Sequence, residues 1–191
     1  MNINEYQNYH ETKAHTSAEF PYNTYLCSIP LDFPGVPLHW HDELELVVIK
    51  RGQGFVSVDF DKRLVHSGDI IIIPPRCLHA IEQDDTFKME YENIIFKPDL
   101  LSSGANDLCM IQYIVPLLDG SLPIEYFLTP ALGSFEALSN CIRQIDLVCA
   151  DQTPGWQLAV KSSLFNFFFL LISGRQKKQS PLPPIPNLWR K

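Results

Sequence analysis

The sequence predicts a mainly β domain with appended helices. Between residues 22 and 96, short apolar segments alternate with turn signals, a pattern typical of an antiparallel sandwich or barrel. Residues 70–73 are four consecutive isoleucines, which are apolar on both faces, as expected where two sheets pack together. After residue 98 the apolar residues recur at helical spacing instead.

Strand boundaries follow from the turn signals. The segment 22–29 is the first predicted strand, and Pro30, Pro34 and Pro37 mark the loop after it. Clusters of small polar residues and glycine place further turns at 51–54, 61–62 and 67–69. The remaining predicted strands are 44–50, 55–60, 63–66, 70–73, 78–82 and 88–96.

The C-terminal part contains three predicted helices, at 107–118, 134–150 and 156–173, with one more strand at 122–128. Gly174 is expected to end the last helix. That helix is apolar around most of its circumference, so it must be buried on most sides. It is either the central helix of this part or a helix with one face on the barrel and another on a second subunit. The excess of large apolar side chains favours a two-fold dimer.

Bulk composition narrows the function. The net charge of −7 and pI near 5.3 leave no basic surplus for phosphates, so the chain by itself is not expected to bind nucleic acid. Five cysteines without a Cys-x-x-Cys pair predict reduced thiols in a cytoplasmic protein. The most apolar run, 164–172, is far shorter than the ~20 residues that span a bilayer.

The candidate site draws on two short blocks of sequence. His39, His41 and Glu45 share one sequence parity, so on a β-strand their side chains point to the same side. Imidazole and carboxylate groups bind divalent metals or hydrogen-bond a ligand. Glu43 has the same parity, so periodicity alone does not choose between it and Glu45. The second block supplies His79.

The chain begins with a polar segment, residues 1–21, which is expected to form an arm or a partly ordered lead-in. The remaining histidines, His10, His15 and His66, have no spaced partners. We expect these three side chains to be solvated.

Together the two blocks resemble the paired signature motifs of the cupin superfamily, over residues 35–83. This resemblance implies a double-stranded β-helix, or jelly-roll, barrel. The sequence departs from the family pattern at three points. Arg76 stands where the family usually has glycine, and Gln83 stands where it often has asparagine. The early glycine of the first motif is missing at its usual distance, because Gly35 lies too close to His39. The residues that match the family spacing are His39, His41, Glu45, Gly52, Gly68, Pro74 and His79.

In metal-binding cupins the residues that match His39, His41, Glu45 and His79 converge on one divalent ion inside the barrel. The resemblance therefore implies a site for Zn, Ni, Fe or Mn made by these four residues. The same four groups can instead orient the hydroxyls of a small effector, so metal occupancy is left open.

The whole chain resembles the regulatory half of AraC-type transcription regulators. In that family a barrel binds a small effector, often a sugar, an N-terminal arm closes over it, a helical segment dimerises, and a separate C-terminal domain with two helix-turn-helix motifs binds DNA. The resemblance implies a barrel with its arm over 1–130, a helical dimerisation segment over 131–178, and a proline-rich linker over 179–191 that leads to a DNA-binding domain absent from this chain.

Two other functions are compatible with the same residues. A stand-alone cupin enzyme, such as a dioxygenase or sugar isomerase, would hold a catalytic ion with the same four side chains. It gives no role to the proline-rich segment or to the apolar last helix. A storage or scaffold cupin without any ligand is the third alternative. We therefore favour the non-enzymatic sensor.

Overall fold

The computed structural model of the protein describes residues 3–104 and 107–176. Within these residues, eight strands form an antiparallel barrel, and two long helices follow it, which confirms the predicted fold class. The predicted linker, 179–191, lies outside the described residues. The strands are β1 (Tyr22–Ile29), β2 (Gly35–His39), β3 (Leu44–Val58), β4 (Asp61–His66), β5 (Ile70–Ile73), β6 (His79–Gln83), β7 (Met89–Phe96) and β8 (Phe127–Leu128). The α-helices are α1 (Ile3–Gln7), α2 (Val115–Leu118), α3 (Phe135–Asp151) and α4 (Trp156–Gln176).

The longest strand, β3, belongs to both sides of the barrel. Its first half pairs with β5 and β7, and its second half pairs with β4 and β6. The predicted turn at 51–54 is therefore wrong, because the chain bends there without leaving the sheet. Gly52 has a φ of 76°, and a Cβ at this position would lie 1.8 Å from the carbonyl oxygen of Lys88. Only glycine fits this bend, which lets β3 pass from one side of the barrel to the other.

Three other boundaries differ from the sequence-based expectation. The hairpin between β3 and β4 turns at Asp59 and Phe60, which both have positive φ, rather than at 61–62. The segment 35–39 was expected to be loop but is strand β2. It tolerates Pro37 because it pairs with β6 alone in the described part of the chain. The strand expected at 122–128 is reduced to the two residues of β8.

Alternation along β5 separates two cores. Ile71 and Ile73 belong to the core inside the barrel, whereas Ile70 and Ile72 belong to the core shared with α3 and α4. All four side chains are at most 1% exposed. One face of β5 therefore packs against the opposite sheet, as expected, and the other packs against helices rather than a further sheet.

Helix α4 lies against the barrel along one side. Val160, Leu164, Phe167 and Phe168 are at most 1% exposed. The helical segment Trp156–Gly174 is long enough and apolar enough to cross a membrane, judged by length and composition alone. It is longer than the apolar run 164–172 because it includes further polar residues. The four buried side chains show that one side of this helix packs in the domain core.

The helix predicted at 107–118 is present, and it includes a π-helical turn, Met110–Ile114, just before Pro116, which has no N–H to continue the regular ladder. Gly174 does not end α4 as predicted, because the helix continues to Gln176. A Cβ at Gly174 would lie 3.2 Å from the hydroxyl oxygen of Ser134. The absence of a side chain at Gly174 therefore lets α4 pack closely against the start of α3.

An ionic cluster joins α3 to the outer face of the barrel. Nζ of Lys50 lies 2.6 Å from Oε2 of Glu92 and 3.0 Å from Oδ2 of Asp146, so one ammonium bridges β3, β7 and α3. Burial raises the pKa of the Glu92 carboxyl above its ordinary value, although the hydrogen bond from Lys50 lowers it. The cluster therefore depends on Lys50, because without it two carboxylates would face each other.

Gly52→Ala is expected to lower the free energy of unfolding by at least about 3 kcal/mol, since the new methyl group collides with backbone that cannot move aside. The matched control is Gly120→Ala. Gly120 has a φ of 77°, but nothing lies within 4 Å of its Cβ position, so only the backbone conformation costs energy, about 1 kcal/mol. Urea denaturation of both variants measures the difference. Equal losses would contradict the role assigned to the Gly52 bend.

Candidate metal and effector site

Strand pairing brings the candidate residues together inside the barrel. His39, the last residue of β2, is paired directly with His79, the first residue of β6. His41 lies in the bend between β2 and β3, and Glu45 is the second residue of β3. Glu45 has the parity of Val47, which is part of the interior core, so its side chain points into the barrel. All four residues singled out in the sequence are thus gathered in one place.

Glu45 is the central carboxylate of this group. Its Oε2 lies 3.0 Å from Nε2 of His41 and 3.4 Å from Nε2 of His79. One potential ligand atom from each of His39, His41 and His79 lies within 4.8 Å of the others. Glu45, His41 and His79 are 2%, 3% and 1% exposed. Ionisable side chains this close and this buried are a candidate site for a small ion or a polar ligand.

Backbone carbonyls determine which ring nitrogens face the site. Nδ1 of His39 lies 2.9 Å from the carbonyl oxygen of Pro37, and Nδ1 of His79 lies 2.9 Å from that of Cys77. A carbonyl oxygen only accepts hydrogen bonds, so each Nδ1 donates, and each Nε2 is left to face the site. Metal-binding histidines are oriented in this way, with the second ring nitrogen hydrogen-bonded.

The acid and imidazole groups shift one another's pKa values. Burial would raise the pKa of Glu45, but its contacts with His41 and His79 outweigh burial and hold that pKa far below its ordinary value. Burial would lower the pKa of His41, but the hydrogen bond and charge of Glu45 raise it above its ordinary value. Burial and the charge of His79 lower the pKa of His39. His39 therefore favours the neutral form, which is the form that binds metals.

Glu43, which shares the parity of Glu45, occupies a different position. Its Oε2 lies 3.6 Å from Nδ1 of His41, on the other side of the ring from Glu45. Within the described residues it forms no ion pair with a second histidine. The geometry therefore favours Glu45 over Glu43 as the carboxylate of the histidine group.

The N-terminal arm, which we define as residues 3–21, adds two side chains that sequence reasoning did not single out. Oε2 of Glu11 lies 2.9 Å from Nε2 of His15 and 3.4 Å from Nε2 of His39. His15 is 8% exposed, and its ring centroid lies 5.5 Å from that of His41. The expectation that His15 is solvated is therefore wrong. His10 and His66 are exposed, as expected.

Trp40, between the two histidines of the first block, holds the arm. Its backbone N–H donates to the carbonyl of Tyr9, and its carbonyl accepts from the N–H of Glu11, both at 2.9 Å. The rings of Tyr6 and His10 stack on its indole. In the sequence, these aromatic residues indicate that the arm packs against something, but they do not indicate which part of the barrel it contacts. Only the tertiary contact shows that Glu11 reaches the site.

The donor set fits a divalent transition metal. Imidazole nitrogens with one or two carboxylates suit Zn, Ni, Fe or Mn. Nδ1 of His41 and Nε2 of His79 are buried and have no hydrogen-bond partner among the described residues. Buried polar atoms need a partner, and either a metal ion or the hydroxyl of an organic effector would supply one. His39, His41, Glu45 and His79 are the residues that could hold either.

The chain is similar in sequence to two curated transcriptional regulators. A curated relative, described as an uncharacterized HTH-type transcriptional regulator YdeC from Bacillus subtilis (strain 168), is 32% identical over 159 residues, which are 83% of this chain and 54% of the relative. A second such regulator from the same organism, YbfI, is 26% identical over 72 residues, which are 38% of this chain and 26% of the relative. The chain thus spans about half the length of the first relative and about a quarter of the second.

A solved structure of a cupin protein from Bacteroides fragilis aligns with a TM-score of 0.39 and 24% identity, over 46% of this chain and 80% of that protein. The family described as AraC-like ligand binding domain matches residues 23–168. This match begins in β1, ends in α4, and includes the candidate site. Because it covers more than half of the chain, the chain belongs to the family of AraC-like ligand-binding domains.

Proposed function

We propose that this chain is the effector-sensing and dimerisation part of a cytoplasmic AraC-type transcription regulator. Membership of the ligand-binding family and the similarity to regulators support this proposal. DNA binding would then belong to a C-terminal helix-turn-helix domain of the longer protein. The net charge of −7 agrees, because the basic surface that DNA requires would lie in that domain.

The observation that carries the proposal is the buried polar group inside an apolar barrel. Glu45, His41 and His79 are at most 3% exposed and lie beside the apolar side chains of the interior core. Burying ionisable groups costs several kcal/mol of stability that an apolar replacement would avoid. Such a group persists where it binds something, and the family to which the chain belongs is described as a ligand-binding domain.

The chemistry of the group indicates the class of effector. Glu45 and the Nε2 atoms of neutral His39 and His79 accept hydrogen bonds, so the set suits a small molecule with several hydroxyls to donate, such as a sugar. A divalent ion held by His39, His41, Glu45 and His79 would supply a positive centre for an effector oxygen. In either case these side chains orient the effector, and the apolar walls exclude water.

The cupin enzyme alternative uses the same residues but leaves the helices without a role. The relatives are named as transcriptional regulators, which agrees with a chain that is not an enzyme. A reading frame that continues into two helix-turn-helix units would support the regulator. A stop codon directly after Lys191 in the gene would instead favour the enzyme.

His79→Gln is expected to weaken the binding of Zn²⁺ by at least about tenfold, because it removes one imidazole of the proposed metal site. Isothermal titration calorimetry on the metal-stripped full chain measures this affinity. The matched control is His66→Gln, because His66 is exposed on β4 and is not part of the histidine group. Circular dichroism of both variants shows that they remain folded.

Equal Zn²⁺ affinity of the His79 variant and the wild type would exclude this site as the metal site. If the wild type binds no Zn²⁺ but binds an effector found by screening sugars, the four residues hold no metal. If His79→Gln and His39→Gln both leave the effector affinity unchanged, the pocket assignment itself is wrong.

Dimerisation is supported by an apolar surface on the helical part. Leu158, Phe165 and Phe169 form a stripe on α4 and are 74%, 36% and 65% exposed. Phe165 and Phe169 also line a cavity of about 580 Å³ between α4 and the 107–118 segment. On that segment Ile111 and Val115 are 60% and 45% exposed. Exposed large apolar side chains on two neighbouring elements are typical of a protein interface, and we propose that a second copy of the chain covers them.

Phe169→Glu is expected to weaken dimerisation by at least about thirtyfold, because a charge buried in an apolar interface costs more than about 2 kcal/mol. Multi-angle light scattering across micromolar concentrations measures the mass. The matched control is Phe60→Glu, because Phe60 is 67% exposed in the turn between β3 and β4, away from the helices. A wild-type protein of monomeric mass at these concentrations would contradict the proposed dimer.

A further inference from the structure

The arm and the first histidine block are physically one unit. The backbone of Trp40 is hydrogen-bonded in both directions to the arm, at Tyr9 and Glu11. The indole Nε1–H of Trp40 donates to the carbonyl of Tyr6 at 2.8 Å, and the hydroxyl of Tyr6 donates to the carbonyl of Arg76 at 2.6 Å. Since Trp40 lies between His39 and His41, the docked arm is in direct contact with the backbone that carries both histidines.

Glu11 is the carboxylate that this docking brings to the site. Its Oε2 lies 3.4 Å from Nε2 of His39 and 2.9 Å from Nε2 of His15, and its side chain is 29% exposed. Nδ1 of His15 is buried and has no hydrogen-bond partner among the described residues. Covering the barrel does not by itself require a carboxylate and a buried imidazole at this position.

The contact between Glu11 and His39 requires a positive charge. Nδ1 of His39 donates to the carbonyl of Pro37, so Nε2 of the neutral ring carries a lone pair. That lone pair faces a carboxylate oxygen, which also only accepts. Two acceptors at 3.4 Å repel each other unless a proton or a metal ion lies between or beside them. Glu45 and Nε2 of His79, also 3.4 Å apart, form the same kind of pair within the site.

We propose that Glu11 is a further metal ligand of this site, supplied by the N-terminal arm, so that a divalent transition-metal ion is fully coordinated only when the arm is docked. The inference rests on the proposed metal binding by the histidine group. Glu45 lies beside His41 and His79, and Glu11 lies beside His39, so the two carboxylates flank the three imidazoles. Two carboxylates also neutralise the two charges of the ion, which neutral imidazoles cannot do.

Glu11→Gln tests this assignment directly, because it keeps the shape and a hydrogen-bonding oxygen but removes the charge. We expect Zn²⁺ affinity of the full chain to fall at least about tenfold by isothermal titration calorimetry. The matched control is Glu19→Gln, because Glu19 is an exposed carboxylate of the same arm and should leave the affinity unchanged. In the Co²⁺-loaded protein, we expect the visible absorption spectrum to change in the Glu11 variant and not in the control.

Trypsin provides a second readout, on the arm itself. Lys13 is the first lysine or arginine of the chain and is exposed, so tryptic cleavage there removes residues 1–13. Linkage requires that metal binding and arm docking strengthen each other by the same factor. We therefore expect saturating Zn²⁺ to slow cleavage at Lys13 by about tenfold in the wild type and in the Glu19 variant, and not in the Glu11 variant.

The outcomes separate this inference from the proposed function. If Zn²⁺ binds the wild type, depends on His79, and binds the Glu11 variant equally well, Glu11 is not a ligand and only this inference fails. If affinity falls in the Glu11 variant while the Co²⁺ spectrum is unchanged, Glu11 acts by charge alone and the ligand assignment is overturned. If the wild type binds no divalent ion, the proposed metal site and this inference fail together.

Discussion

At Gly52 the strand β3 bends from one side of the barrel to the other, and its pairing with β4, β5, β6 and β7 depends on this bend. A side chain there would collide with the backbone of Lys88, so the bend needs glycine. The continuous strand pairs with four others, and its alternation sorts the chain into an inner and an outer face. Glu45 lies on the inner face and Lys50 on the outer one, so a single strand carries both the site carboxylate and the ionic link to α3.

The interior site is stable because its charges compensate one another. An isolated carboxylate as buried as Glu45 would cost several kcal/mol, but His41 and His79 contact it from two sides. Hydrogen bonds from the histidine rings to backbone carbonyls keep the ring orientations fixed. The result is a rigid polar group within apolar walls, which is the arrangement that selective binding of a small ligand or an ion requires.

The site is connected physically to both ends of the domain. The arm reaches it through Trp40 and Glu11. The helices reach the same strand through Lys50 and Asp146. A ligand that moved β3 or the arm would therefore act on elements on which the proposed dimer and the proposed regulator depend. Both connections run through contacts between residues distant in the sequence.

The sequence by itself determined the features that rest on local spacing. Strands at 22–29 and 70–73 and the appended helices were predicted, because side-chain alternation is a property of neighbouring residues. The candidate site residues were proposed from motif spacing and from the family resemblance. Tertiary structure alone decided that Gly52 continues a strand instead of turning it, and that Glu11 and His15 reach the site. The reason is physical: the strand bend depends on the position of a distant backbone carbonyl, and the arm depends on a tryptophan about thirty residues away along the chain. Such contacts leave no periodic signal in the sequence.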